Sequence, residues 1–323
     1  MTNIYGTNTG LRTAHAARIN RVIEFIDIHL SEDMNLEVLA DVAAYSKFHF
    51  HRIFRAFTGE TLTDYIMRLR LEKAAYRLCI DTERSVTGIA LDCGFSNSAV
   101  FAKNFKARFG MTASEWRKQK RTLPKQNDWQ DHRSNLRDRD ELNVSILYGA
   151  GTQTWVFRGS DNERRVTLEN MPELTLAYLR YTGPYKGDAT LFEGLFTRLF
   201  AWLGPHGLVF PDTSKTIVLY HEYPDITADE QLRISVCCTV PPDTTGEGAI
   251  GVMPFAPGLC AVSRFVCAAD EYQRAWDWMY ETWLPESGFL PADIPAFERY
   301  DFCAYDKNTG KTTVDICVPV LAK

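Results

Sequence analysis

The sequence has no run approaching the roughly 18 apolar residues that a membrane-spanning helix needs, and Met1 to His15 is polar and rich in Thr and Asn with no apolar core. Neither a membrane span nor a secretory signal is expected, and the chain reads as cytoplasmic. Cysteine pairing is also missing. None of Cys79, Cys93, Cys237, Cys238, Cys260, Cys267, Cys303 and Cys317 forms a C-x-x-C motif, and most sit in apolar runs such as Ile234-Ser-Val-Cys-Cys-Thr-Val240. That usage predicts reduced, buried thiols. His49 and His51 stand two apart, which on a helix points them in different directions, so no metal site is expected. The sequence shows no Ser/His/Asp arrangement, metal cluster or phosphate loop. No catalytic residue and no cofactor are expected. Positive charge is scarce as well: the net charge of -5, taken alone, speaks against nucleic acid.

The total conceals a division. Met1 to Lys125 holds 19 Lys/Arg against 13 Asp/Glu, a net of +6, and Gln126 to Lys323 holds 17 against 28, a net of -11. Counterion release at phosphates favours the first segment and repulsion excludes the second, so nucleic-acid binding belongs to the first 125 residues.

The basic segment reads as successive helices. Ile19, Ile23, Ile26 and Leu30 make one apolar stripe on a helix over about 16–30. A helix over 36–43 is followed by Ser46 as N-cap of another through Phe57, which Gly59 stops. Thr61-Leu-Thr-Asp64 resembles a capping box and opens an uninterrupted helix to about Leu78, a rod of roughly 27 Å. The arrangement then recurs: Ser85 caps a short helix, Cys93-Gly-Phe95 turns, and Ser96 or Asn97 starts a helix that Gly110 ends. Leu39-Ala40 and Tyr45-Ser46 are answered by Ile89-Ala90 and Phe95-Ser96 at an offset of 50. Successive major grooves on one face of B-DNA lie about 34 Å apart, so two helix-turn-helix units on a stiff connector suit two grooves read by one chain.

Residues 126–141 lose apolar periodicity and read as a solvated linker. Strand patterns follow at 166–168, 174–181, 216–220, 232–240, 259–266, 299–305 and 313–320, with helical patterns over 189–203 and 270–284. This half repeats too. Trp202-Leu203 matches Trp283-Leu284 at 81, Tyr220 matches Tyr300 at 80, and Leu232-Arg-Ile-Ser-Val236 matches Val314-Asp-Ile-Cys-Val318 at 82. Two strand-helix-strand-strand copies predict one antiparallel sheet with both helices on one side and a cleft near the pseudo-twofold axis. The resulting division is a flexible tail over 1–15, an all-α double helix-turn-helix domain over 16–120, a linker over 121–160 and an α+β domain over 161–323.

Leu39-Ala-Asp-Val-Ala-Ala-Tyr-Ser46, His49-Phe-His-Arg-Ile-Phe54, Tyr65-Ile-Met-Arg-Leu-Arg-Leu71, Ile89-Ala90, Cys93-Gly-Phe95 and Phe105-Lys-Ala-Arg-Phe-Gly-Met-Thr112 with Arg117 resemble the AraC/XylS family of transcription regulators over about 16–118. Ala44 departs from a common Gly in the turn, where a left-handed backbone would be strained; Leu62 and Ala113 replace the usual Pro. The resemblance implies binding to double-stranded DNA. By position, the groove-facing residues are Lys47, Phe48, His51 and Arg52 in the first unit and Asn97, Ser98, Ala99, Val100 and Lys103 in the second. Arg52 suits a bidentate guanine contact, Ala99 and Val100 suit thymine methyls, and Arg55 and Lys106 suit phosphates. A core aromatic is the other reading of Phe48.

Tyr181-Thr-Gly-Pro-Tyr185, Leu199-Phe-Ala-Trp-Leu203, Tyr220-His-Glu-Tyr-Pro224, Phe297-Glu-Arg-Tyr300 and Val314-Asp-Ile-Cys-Val-Pro319 resemble GyrI-like effector-binding domains, as in Rob-type regulators. That resemblance implies a small hydrophobic or cationic effector held in an aromatic crease around an acidic residue. The repeat selects one acid independently: Glu298 occupies the place of Val218 in the other copy. Phe297, Tyr300, Trp276, Tyr280 and Tyr185 are candidate neighbours. A solvent-facing Glu beside Arg299 is the other reading of Glu298, and a core stripe is the other reading of Trp276, Tyr280 and Trp283.

The sequence therefore predicts a sequence-specific, effector-controlled transcription regulator, an activator by resemblance, with RNA polymerase as a partner implied in the same way. The alternative is a hydrolase of small electrophiles using Glu298 and Tyr300.

Overall fold

A computed structural model describes residues 6–81, 83–122, 143–149, 152–158, 163–210, 213–302 and 304–322, for 6–14, 48, 120–122, 143–149, 152–158, 163 and 286 the backbone alone. Cys303 and the whole of 126–141 lie outside the described residues. The chain divides into two compact units, one helical and one built on a sheet.

The helical unit contains α1 (Gly6–Ile28), α2 (Leu36–Val42), α3 (Lys47–Thr58), α4 (Leu62–Ile80), α5 (Val86–Asp92), α6 (Ser98–Phe109) and α7 (Ala113–Thr122). Local chemistry sets most of these ends. Asn35, Thr61 and Ser85 accept hydrogen bonds from the backbone N–H of Val38, Asp64 and Gly88, and the Thr61 hydroxyl also donates to the Asp64 carboxylate at 2.6 Å, a side-chain bond in place of the backbone half of the expected box. Gly59 and Gly110 close α3 and α6 in the left-handed conformation. Ile19, Ile23, Ile26 and Leu30 are buried against Leu39, Phe50, Phe54 and Tyr65. One expectation is corrected: α1 begins at Gly6, so residues 6–15 are helix and not tail. Ala44 stands at φ 51, as its turn position requires, and the Arg18 guanidinium braces that turn by donating to the Ala44 carbonyl at 3.0 Å.

The second unit contains β1 (Asn143–Gly149), β2 (Thr152–Arg158), β3 (Glu163–Met171), β4 (Leu174–Thr182), α8 (Ala189–Leu203), β5 (Thr216–Tyr220), β6 (Arg233–Thr239), β7 (Gly251–Phe255), β8 (Gly258–Cys267), α9 (Tyr272–Asp277), α10 (Leu284–Ser287), β9 (Phe289–Pro291), β10 (Ala296–Tyr300), β11 (Tyr305–Asp306) and β12 (Lys311–Ala322). A π-helical stretch, Trp278–Trp283, joins α9 to α10. The sheet runs β1-β2-β3-β8-β12-β10-β5-β6-β4-β7, with β9 and β11 on β12. β1 and β2 correct the linker reading of 121–160: Val144-Ser-Ile-Leu-Tyr148 and Trp155-Val-Phe157 carry strand-forming residues, and the hairpin pairs through β2 onto β3. The strand expected at 299–305 ends at Tyr300.

The internal repeat has a structural meaning. β5 and β10 pair antiparallel with Val218 opposite Glu298, Tyr220 opposite Ala296 and Thr216 opposite Tyr300. Val218 and its repeat mate Glu298 therefore face each other directly, and the two flanking pairs are exchanged by the repeat (Thr216 with Ala296, Tyr220 with Tyr300), which places the pseudo-twofold axis at the Val218/Glu298 pair. One sheet face buries Ala261, Val314, Ile316 and Val318 against Met279 and Trp283; the other buries Tyr178, Leu219, Cys237, Phe297 and Cys317. Six of the described cysteines are buried and none of the seven is bridged. Among the described residues, no helix is long and apolar enough to cross a membrane.

Candidate functional site

In the first helix-turn-helix unit the amphipathic α3 turns Phe50 and Phe54 fully inward, with Phe54 edge-on to Tyr65 of α4 at 5.3 Å. That packing leaves Lys47, His51 and Arg52 exposed on the opposite side. His51 and Arg52 form no hydrogen bond or ion pair among the described residues, so their donors are open to a ligand. Lys47 pairs with Glu37 of α2. In the second unit Phe101 and Phe105 are buried, and a chain of rings continues through Phe109 to Trp116, whose indole donates to the Ala75 carbonyl of α4 at 3.0 Å. Asn97, Ser98, Ala99, Val100 and Lys103 are exposed. Asn97 uses its side-chain oxygen to cap α6 by accepting from the Ala99 N–H at 2.7 Å, which leaves its amide N–H groups for outside partners. Arg55 and Lys106 are exposed on the same helices.

The sheet unit holds its candidate site on the axis. Glu298 is only 2% exposed, which excludes the solvent-facing reading. Trp276 of α9 donates to one carboxylate oxygen at 2.8 Å, Tyr300 donates to the other at 2.7 Å, and Tyr220 adds a further side-chain hydrogen bond. Burial pushes the Glu298 carboxyl above its ordinary range, and these three bonds pull it back only in part. No cationic group of the described residues offsets it. Burial first, and the Glu298 charge second, also hold Tyr220 and Tyr300 well above the usual phenol range, so both remain neutral donors.

The walls are aromatic. Tyr220 meets Trp276 edge-on at 5.4 Å, Tyr185 approaches Tyr220 at 5.6 Å and Phe192 of α8 at 6.3 Å, and Tyr280 stacks on Trp276 at 6.1 Å. Both helices thus reach the same side of the sheet. Trp276, Tyr280, Tyr300, Tyr185 and Glu298 are brought together as expected, whereas Phe297 is not. Strand alternation sends Phe297 to the far face, where it packs on Phe255 at 5.3 Å. Arg299 leaves on that far face too, bound to Asp315 and Glu169. The aromatic stripe divides: Trp283 is wholly core, and Trp278 faces the Arg164 guanidinium at 5.2 Å. Sequence reasoning missed Tyr220 and Tyr272, which hydrogen-bonds Tyr300. Tyr220 was available as the repeat mate of Tyr300.

These two sites define a class: a pair of helix-turn-helix units joined to a sheet domain with a buried carboxylate ringed by aromatic side chains. Profiles of two families match the chain, a helix-turn-helix domain over residues 39–119 and the GyrI-like small molecule binding domain over residues 164–321. The regulatory protein SoxS of Salmonella typhimurium is 38% identical over 104 residues, which is 32% of this chain and 96% of SoxS. The probable transcription factor PqrA of Proteus vulgaris is 35% identical over 101 residues, 31% of this chain and 82% of PqrA. The solved DNA-binding domain of AdpA in complex with a target DNA is 28% identical, covering 34% of this chain and 97% of that one at a TM-score of 0.32. The chain belongs to the AraC-type DNA-binding transcription regulators and carries a GyrI-like small-molecule binding domain.

Proposed function

We propose that this regulator responds to a hydrophobic cation bound over Glu298, and that α3 and α6 read two major grooves through Lys47, Phe48, His51 and Arg52 and through Asn97, Ser98, Ala99, Val100 and Lys103. One observation supports the effector class: a carboxylate at 2% exposure held by neutral donors and rings, with no cation paired to it among the described residues. Such a group is costly to ionise until a positive charge enters, and the rings of Trp276, Tyr220 and Tyr280 favour that charge a second time through their faces. A ligand can shift regulation only by binding one state of the protein more tightly than the other. Activation through contact with RNA polymerase in the cytoplasm is the outcome that SoxS and the other relatives suggest.

The test is a titration of the full chain with an aromatic cation and its neutral isostere. Glu298→Gln should weaken the cation by about tenfold or more, the scale of one lost desolvated charge interaction, and the neutral ligand by far less. Equal losses would remove Glu298 from recognition. Because the Glu298 carboxyl lies above its usual range, cation affinity should also climb as pH rises through that group's titration.

The Glu298 to Tyr300 hydrogen bond of 2.7 Å supports a second reading, acid-base hydrolysis of small electrophiles. Turnover that vanishes in Glu298→Gln would establish it.

A further inference from the structure

Four charged groups of the helical unit follow one another in alternating sign, the middle two buried and the outer two partly exposed. Arg68 of α4 donates its Nε to both oxygens of Glu60 at 3.0 Å and its Nη2 to Glu60 at 2.7 Å. On its other side, Nη1 reaches Glu72, one helical turn on, at 3.3 Å. Glu72 in turn holds Arg108, in the last turn of α6. The Arg68 and Glu72 side chains are each 4% exposed. The series also extends the other way: the Arg68 guanidinium lies over the Tyr65 ring at 4.9 Å, and Tyr65 is edge-on to Phe54 on the inner face of α3.

A contact path therefore joins the two reading helices: Phe54 of α3, Tyr65, Arg68 and Glu72 of α4, Arg108 of α6. Apolar side chains would stabilise the same interior as well or better, since desolvating charges offsets most of their attraction. What a guanidinium fork against a carboxylate adds is direction, because two N–H bonds fix a plane and an apolar contact does not. That two-nitrogen contact is the one between Arg68 and Glu60; α6 joins the series at its end, where Nη2 of Arg108 donates to Glu72.

We infer that Arg68, Glu72 and Arg108 are positioning residues that set the register between the two reading helices, and so set the base-pair separation of the half-sites the protein accepts. The inference rests on the two-groove reading of α3 and α6. Arg108, at 27% exposure, is the member that can be cut while Glu60, Arg68 and Glu72 keep one another.

The experiment uses the full chain and duplexes recovered from a random pool, remade with one base pair inserted or deleted between the two half-sites. For the unaltered protein, each change should weaken binding by about tenfold, the ordinary scale of coupling between two sites. Arg108→Met should bind the original duplex about tenfold more weakly and lose most of the penalty for altered spacing, with single half-site binding unchanged. Should Arg108→Met fail to fold, Arg108→Lys keeps the charge without the planar fork and should show the same flattening to a smaller degree. A folded variant that binds every spacing more weakly by the same factor would overturn the assignment, and would make Arg108 a phosphate contact or a mere stabiliser. Indifference of the unaltered protein to spacing would overturn the two-groove reading and this inference with it, an outcome separate from the first.

Discussion

At the scale of the single residue, Glu298 and Ala44 show two ways in which a position can work against stability. Ala44 holds a left-handed backbone that glycine would adopt without the Cβ penalty, and Arg18 partly compensates by gripping its carbonyl. Glu298 is a carboxyl whose proton is held more tightly in the folded chain than in the unfolded one. The stability linked to it is therefore complete below the unfolded carboxyl's ordinary range, near about 4.3, and is lost as pH rises toward the raised folded value. Glu298→Gln, which keeps an acceptor for Trp276, should accordingly melt above the unaltered protein by about 2–4 °C near neutral pH, with the gap closing on acidification. A variant that melts lower at neutral pH would show that the hydrogen bonds outweigh the burial. Phe297 and Glu298 adjoin in sequence and part at the sheet; the motif located both, and only the pleat separated them.

At the scale of the element, the caps and turns of the helical unit follow from local chemistry. Gly94 and Gly110 both sit at positive φ, 86° and 73°, yet they carry different loads. A Cβ on Gly110 would meet nothing within 4 Å, whereas one on Gly94 would stand 2.8 Å from the Arg70 side chain and 2.9 Å from the Leu30 carbonyl. Arg70 is the group that ties α4 to that carbonyl, through a 2.8 Å hydrogen bond. Gly110→Ala should thus cost about 1–2 kcal/mol, the left-handed penalty alone, and Gly94→Ala should cost more because it also displaces Arg70. Denaturant midpoints in that order would agree; equal midpoints would mean that Arg70 yields freely. The second unit shows where local signals stop. The aromatic stripe of α9 was readable at helical spacing, but a π-helical stretch follows Asp277, and Trp283 enters the core while Trp276 bonds Glu298 and Tyr280 stacks on Trp276.

At the scale of the whole molecule, a basic half and an acidic half divide two tasks within one chain. DNA affinity should fall steeply as salt rises, since the basic half gains by releasing counterions. Arg52→Ala should weaken specific duplexes by about 1–3 kcal/mol and relax the preference at one base pair, while Arg55→Ala should weaken all duplexes alike and lower the salt slope by about one. Competition binding over a range of salt distinguishes the two, and uniform loss in Arg52→Ala would move that residue to the phosphates. The sequence by itself determined the two repeats, the succession of helices with the caps at Thr61 and Ser85 though not a side-chain cap at Ser46, the charge division and the choice of Glu298, because each depends on periodicity, composition or comparison within one chain. It did not reveal that β1 and β2 extend the sheet, that Tyr220 and Tyr272 join the Glu298 network, or that Glu72 of α4, held by Arg68, reaches Arg108 of α6. Those depend on contacts between residues far apart in the chain, where burial and hydrogen-bond partners exist only once the sheet has paired and the helices have packed.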